Sequence, residues 1–509
     1  ALGDSKAARE LEERVMERRT ALLGPDHPST LQAQANLAAT LGALGDRHAE
    51  RELEESVLER RTALLGPDHP STLMAQANLA ATLGALGDSQ TARAMEERIL
   101  ERRTALLGPD HPSTLQAQAN LASTLGSLGD LHAAREAEER VLDRRTALLG
   151  PSHPATLNAQ GSLAATLRAL GNQEDARALE EQVLERRIAL LGPDHPDTLG
   201  TMGNLAITLR LLGDAEAARH LEEQVWERRL ALLGPDHPAT LRAEANLAVT
   251  LANLGDRLTA RKLEEHVLER RLALLGPGHP ETMVSEANLA ATLADLGDHH
   301  AARELNERAV AGMTAALGPE HFHTLQARAT LATTLAHLGE GEAAIEANRD
   351  VLEVRRRVLG PEHPDTIASE LASSNLLAEA GSLREAVPLL QHAWAYLTAQ
   401  FGQAHPAPLS HGLNLGIYLL NLEEAQAARA QLEGDQHLWG EVFGEDSHTT
   451  TEARLALAIS WIKTGDLAQG RALLERVIAQ QQAAPDPDHA RIAQIQGWLA
   501  ALPPDPPVN

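Results

Sequence analysis

The chain has 509 residues, no cysteine, and a formal net charge of −26 from 71 acidic against 45 basic side chains. That balance argues against nucleic acid as a partner, because phosphate-backbone affinity rests on clustered Lys and Arg, and the lack of cysteine removes disulfides and thiolate chemistry. No run of eighteen apolar residues occurs, so no membrane-spanning helix is expected, and a cytoplasmic location is the natural expectation.

In chain order the first segment, residues 1–24, aligns with the middle of the units that follow: Ala1-Leu2-Gly3-Asp4 matches Ala43-Leu44-Gly45-Asp46. It is expected to hold only a second helix, as one part of a longer parent protein. From there a Gly-Pro-Asp-His-Pro joint opens at Gly24 and returns every forty-two residues through Gly360. It continues in weaker form at Gly402, Gly444 and Asp486 without an insertion or deletion. A fixed period of this length marks a repeat array, in which each unit buries its apolar face against the next. Residues 25–402 read as nine regular repeats, 403–486 as two divergent, aromatic-richer ones, 487–502 as a capping helix and 503–509 as a disordered tail. The whole is expected to be one continuous solenoid of about twelve units.

Residues 25–66 serve as the specimen unit. Its first helix is expected from about Ser29 to Leu44, with Asp26 and His27 as cap candidates and Pro28 in the first turn, where a missing N–H costs nothing. Gly45 should end it in a left-handed conformation and Asp46 should cap a second helix, Arg47 to Leu65, that Gly66-Pro67 stops. At 100° per residue Leu31, Leu37, Ala38, Leu41 and Leu44 share one arc, with Gln34 oddly inside it. On the second helix Leu53, Val57 and Leu64 form one apolar stripe, and Leu58 and Leu65 another beside it. Short antiparallel connections between such helices give an all-α, right-handed superhelix of helical hairpins, an α-solenoid.

Asn36-Leu37-Ala38, Leu41, Gly45-Asp46, the small residues Ala92, Ala134 and Ala176, and the Leu-Gly-Pro-Asp-His-Pro-x-Thr-Leu joint together resemble a tetratricopeptide repeat of the forty-two-residue, kinesin-light-chain-like kind. The resemblance implies that first helices line a concave face and that the chain binds peptides or proteins. It also implies that an asparagine column there holds a partner's main chain. One departure stands out: Glu12, Glu54, Glu96, Glu138, Glu180, Glu222 and Glu264 occupy the second-helix position where the family places an aromatic, so packing there must differ.

The matching column here is Asn36, Asn78, Asn120, Asn204, Asn246, Asn288 and Asn414, with Ser162 and Thr330 as exceptions. An amide both donates and accepts, so a ladder of them suits an extended chain of any sequence; the structural alternative, which is favoured, is that each Asn bonds a neighbouring helix or faces water. Basic residues one or two turns away, needed to clamp a terminal carboxylate, are replaced by Ala35, Ala77, Ala119, Gly161, Gly203 and Ala245. The face varies most in the middle units, where Arg210, Arg242 and Asn253 replace smaller or neutral residues, and specificity is expected there. The Arg pairs, such as Arg60-Arg61 and Arg144-Arg145, read as a ladder of ion pairs. The joint histidines, one per unit, sit too far apart to share a metal, and no metal or cofactor is expected.

Eight of the ten aromatics lie beyond residue 390. Trp226, Trp394 and Trp461 fall in core columns, whereas Tyr396 and Trp439 fall in the Arg columns and Trp498 in the Asn column; these three are the contact candidates, though the altered outer face of a capping end is the favoured reading.

Taken together, the expectation is a protein-interaction module, the scaffold or sensor arm of a larger signalling protein. A bacterial source is suggested by Arg use over Lys, with only Lys6, Lys262 and Lys463 as lysines. The alternative is a structural spacer or end-to-end self-assembling rod, favoured by near-identical units. An enzyme is not expected, because no nucleophile, base and orienting group converge and no phosphate-binding Gly-Lys-Ser/Thr loop occurs.

Overall fold

A computed structural model describes residues 2–483 and 488–503, and among these every regular element is an α-helix, twenty-five in all. The Asp486 joint and residues 504–509 lie outside the described residues. A lone helix, Leu2–Leu23, precedes alternating first and second helices, beginning Pro28–Ala43, Arg47–Leu65, Pro70–Ala85 and Ser89–Leu107. The first-helix cap is His27 and not Asp26: its Nδ1 accepts the amide of Ser29 at 3.1 Å, with Pro28 as the first helical residue. Asp26 is left to receive Arg60 at 3.2 Å. Thr30 Oγ1 donates to the Gly24 carbonyl at 2.9 Å and closes the joint from inside.

The hairpin turn follows from one residue's freedom. Gly45 adopts φ 85°, which lets the Asp46 amide reach back to the Leu41 carbonyl at 2.9 Å while its carboxylate caps Ala49. This arrangement repeats at each Leu-Gly-Asp.

The helices form two compact units, residues 1–347 with 354–359, and residues 348–353 with 360–509. In the first, Leu31, Leu37, Ala38 and Leu41 are buried in the core, and Ala92, Ala134, Ala176, Ala218 and Ala260 are fully buried at the close approach of the two helices of a hairpin. The second helix departs from the apolar stripes expected of it. Glu50, Glu54, Val57 and Arg61 are its buried residues, while Leu64 and Leu65 are exposed. A 100° projection assigns residues to one face but cannot say which side of a helix a neighbour covers, and here the covered side carries the charges.

First helices of consecutive repeats approach one another directly, for example Pro112–Ser127 with Pro154–Ala169 and Pro280–Asp295 with Phe322–His337. They therefore form the inner wall of this unit's curve. After between five and six repeats the unit meets itself: His321 Nε2 lies 2.9 Å from the Ala85 carbonyl, 236 residues away in sequence, and a Cβ on Gly45 would fall 2.9 Å from the His279 ring.

The second unit has an ordinary apolar core built on Leu390, Leu409, Leu413, Leu432, Trp461 and Leu474. One of its second helices is interrupted between Ala425–Glu433 and Leu438–Phe443, and Trp439, which stands in the column of buried Arg61 and Arg145, is fully buried. Trp439 is therefore core and not a contact residue. Trp498 keeps an exposed ring, with the Arg491 guanidinium 5.9 Å from its centre.

Candidate functional site

The floor of the first unit's inner groove is built by an arginine clasp. Arg61 Nη1 donates to the Ser71 carbonyl at 3.0 Å, at the start of the next first helix, and Nη2 to Gln32 Oε1 at 3.4 Å on the preceding one. Arg145 repeats this with Ala155 and Gln116, and Arg187 with Asp197 and Asn158. One guanidinium thus ties three helices, and burial draws the pKa of Arg61, Arg145 and Arg187 downward. The other arginine of each pair reaches outward to the aspartate of the previous joint, as in Arg102 to Asp68 at 3.1 Å. At Arg186, where Ser152 replaces that aspartate, the Pro151 carbonyl takes its place at 3.1 Å. The pairs therefore divide into one surface ion pair and one clasp to helix starts and amides.

Above this floor lies a hollow of about 270 Å³ between helices Pro112–Ser127, Leu131–Leu149 and Pro154–Ala169. Gln116, Asn120, Ser123, Asn158 and Ser162 supply amides and hydroxyls at its walls, with Glu138 and Arg145 below. The expected column thus contributes Asn120 and Ser162 to one cavity; Gln116, Asn158, Glu138 and Arg145 join them without having been singled out as site residues. Their signal was available in the sequence, since Gln116 and Asn158 occupy the helical turn before Asn120 and Ser162.

The rest of the column is spread along the array. Asn36, Asn78 and Asn204 are exposed, and Asn246, Asn288 and Asn414 are half-buried. Asn36 accepts from Gln32 at 2.9 Å and Asn120 from Gln116 at 2.8 Å, so these amides are aligned by a neighbour one turn away. Gln34 is half-buried with its Oε1 lacking a hydrogen bond.

The three middle-unit candidates separate. Arg210 is half-buried beside Glu222, whose carboxyl burial pushes up to about 7 against the opposing pull of the Thr250 hydroxyl and of Arg210. Its counterpart Arg168 pairs with buried Glu180 at 3.1 Å. Asn253 is exposed at the end of Pro238–Asn253, next to a hairpin turn. Arg242 alone stands exposed at the clasp position, where Gln32, Gln116 and Asn158 stand in other units, and it makes no hydrogen bond or ion pair among the described residues. Its charge lowers the pKa of both Arg229 and Arg271, which are already drawn down by burial. Three guanidinium groups therefore influence one stretch of groove, countered by Glu281, whose carboxylate lies 2.6 Å from Arg271.

Beneath the wall runs the glutamate column. Glu180 accepts the Thr208 hydroxyl of the next repeat at 2.6 Å, and Glu54, Glu96, Glu138 and Glu264 are likewise buried against Thr82, Thr124, Thr166 and Thr292. Burial raises the pKa of every one. In the next two repeats Asn306 and Asn348 take the position and donate to Thr334 and Ser373 at 3.0 and 2.7 Å. The column therefore joins consecutive repeats through hydrogen bonds, which is the different packing expected where glutamate stands in place of the family's aromatic.

Among the described residues no three His, Cys, Asp or Glu side chains are grouped to hold a metal ion, and no helix is long and apolar enough to cross a membrane.

Two tetratricopeptide-repeat family models match the chain, one over residues 1–29, 30–71, 114–155, 156–197 and 198–239, the other over 51–105, 244–315, 280–356 and 323–399. No curated protein matches the sequence significantly. A solved structure of a candidate kinesin light chain of Podosopora anserina, with nearly identical TPR-like repeats, is 30% identical, with 40% of this chain and 97% of that one covered and a TM-score of 0.36. BtubC (BKLC) from P. vanneervenii is 18% identical over 48% of this chain and 92% of its own, with a TM-score of 0.35. A Rap protein complexed with Competence and Sporulation Factor is 12% identical over 73% of this chain and 99% of its own, with a TM-score of 0.48.

Proposed function

We propose, from the premise that this chain belongs to the tetratricopeptide-repeat family, that it binds an extended peptide or protein segment along the inner groove of its first unit. The observation that carries this reading is the hollow of Gln116, Asn120, Asn158 and Ser162. Its walls offer donors and acceptors of the kind a peptide main chain needs, on rigid helices fixed by the Arg145 clasp. Arg242, exposed beside Arg229 and Arg271, favours an acidic side chain in the ligand two to three repeats further along. Binding and not catalysis is the role that fits, and we place the chain as a scaffold or sensor arm of a cytoplasmic bacterial signalling protein. The test is selection of a displayed random peptide library on the full chain. Enriched peptides should carry Asp or Glu at a fixed place, and should lose at least tenfold in affinity with Asn120→Ala/Asn158→Ala and with Arg242→Glu. No enrichment, or peptides indifferent to both variants, overturns the reading.

A further inference from the structure

The two leucines that end each second helix are not alike along the first unit. Leu64 and Leu232 are 51% and 56% exposed, and Leu22, Leu106, Leu148 and Leu190 are exposed with them, each followed by a second exposed leucine. Leu317, at the same repeat position as Leu65, is only 7% exposed, and Leu275 is half-buried. The local sequence barely changes as far as the Leu275 joint, so there the difference lies in what covers it; at Leu317 the helix end differs as well, with Gly312-Met313-Thr314-Ala315-Ala316 standing for Arg60-Arg61-Thr62-Ala63-Leu64. Leu275 and His279 share a cleft of about 470 Å³ with the hairpin turn Leu44 to His48, and Ala316 lines the same cleft. One repeat on, His321 is buried and bonded to Ala85, with Gly87 against its ring. A Leu-Gly-Asp hairpin turn is therefore what meets a joint of this edge, and among the described residues of the unit the joints at Gly276 and Gly318 meet one.

The complementary feature is free as well. The hairpin turns at Gly255, Gly297 and Gly339 are exposed, with nothing within 4 Å of a Cβ built on each glycine, whereas Gly45 and Gly87 face histidines. Leu258, beside the Gly255 turn, is 65% exposed. One molecule thus presents an unfilled row of seats and an unseated row of the parts that fill such seats. A row of exposed leucine pairs, one at each joint, calls for a partner.

We propose that the leucine edge from Leu22-Leu23 to Leu232-Leu233 is the docking surface for a second copy of this chain, which seats its hairpin turns at Gly255, Gly297 and Gly339 as Gly45 and Gly87 seat within one copy. The interface joins two different surfaces, so it leaves one of each free and propagates head to tail into a filament. The net charge of −26 opposes stacking, and salt that screens it favours growth. This inference is independent of peptide binding in the inner groove, because the leucine edge is formed by the joints and not by the first helices.

The experiment is sedimentation velocity of the full chain across protein concentration, in low and high salt. Mass should rise past the dimer with concentration, more so in high salt. A leucine-edge variant, L64E/L106E/L148E, and a turn variant, L258E/H300E, in which exposed His300 stands beside the Gly297 turn as Leu258 does beside Gly255, should each sediment as monomers with unchanged helical circular dichroism. Mixed together they should form a one-to-one dimer and nothing larger, since each retains one intact surface. If the glutamate triple fails to fold, L64S/L106S/L148S replaces it, with the same expected loss of association. A wild-type chain that stays monomeric at every concentration and salt overturns the proposal, as does assembly indifferent to the leucine substitutions. Retained peptide binding by the edge variants separates this outcome from failure of the groove reading.

Discussion

Glu264→Gln should stabilise the protein at neutral pH and do nothing in acid. Glu264 is 4% exposed, burial pushes its carboxyl to about 7 from an ordinary 4.5, and the only opposing influence is the Thr292 hydroxyl. The folded state therefore holds a proton that the unfolded state releases between those two values, so stability falls as pH rises from about 4.5 to about 7 and stays low above it. Each pKa unit corresponds to about 1.4 kcal/mol, so the charged carboxylate costs about 3 kcal/mol at pH 8. Glutamine removes the charge and keeps both an acceptor and a donor for the threonine. The protein makes a related replacement itself at Asn306, whose amide donates to Thr334 at 3.0 Å. Repeat arrays need not unfold in one step, so the assay is amide hydrogen exchange of helices Arg257–Leu275 and Pro280–Asp295, with parent and variant compared at equal pH. Local opening should slow by roughly two orders of magnitude at pH 8, and by nothing measurable near pH 4. Equal protection at pH 8, or a gain of the same size at both pH values, would refute a buried carboxylate held protonated.

Arg145→Ala should cost about 3 kcal/mol in denaturant unfolding, since it strips charge-assisted bonds from the Ala155 carbonyl and Gln116; Arg145→Lys should recover little, because an ammonium cannot span both partners. His153→Ala should lose about 1 kcal/mol through the missing cap on the Ala155 amide, and His153→Asn should restore most of it in thermal melts. Gly45→Ala should lower the melting temperature more than Gly255→Ala: both sit near φ 85–89°, but only Gly45 would drive a methyl into His279. Identical losses would mean that the return of the chain onto itself carries no stability.

The sequence displayed those features that repeat within forty-two residues, and concealed those that depend on accumulated geometry. Gly45, Asp46, His27 and Pro28 act through bonds to residues at most five positions away, so the hairpin, its turn and its joint could be read directly from spacing. The second helix could not. Hydrophobicity pointed Leu64 and Leu65 inward, yet what lies inward is Glu54 and Arg61, made tolerable by hydroxyls, amides and carbonyls of the next repeat that no single-helix projection contains. The same blindness explains the groove. Asn120 was visible as a column member, but its grouping with Asn158 and Arg145 depends on how far each first helix turns against the next. That small rotation, repeated between five and six times, also decides that a hairpin turn reaches the joints of His279 and His321. A substitution that altered the rotation per repeat, without touching any leucine, would therefore move the seats relative to the turns that fill them. The residues best placed to do so are the glutamate and threonine pairs between repeats, so their protonation and the exposure of the leucine edge are expected to be linked.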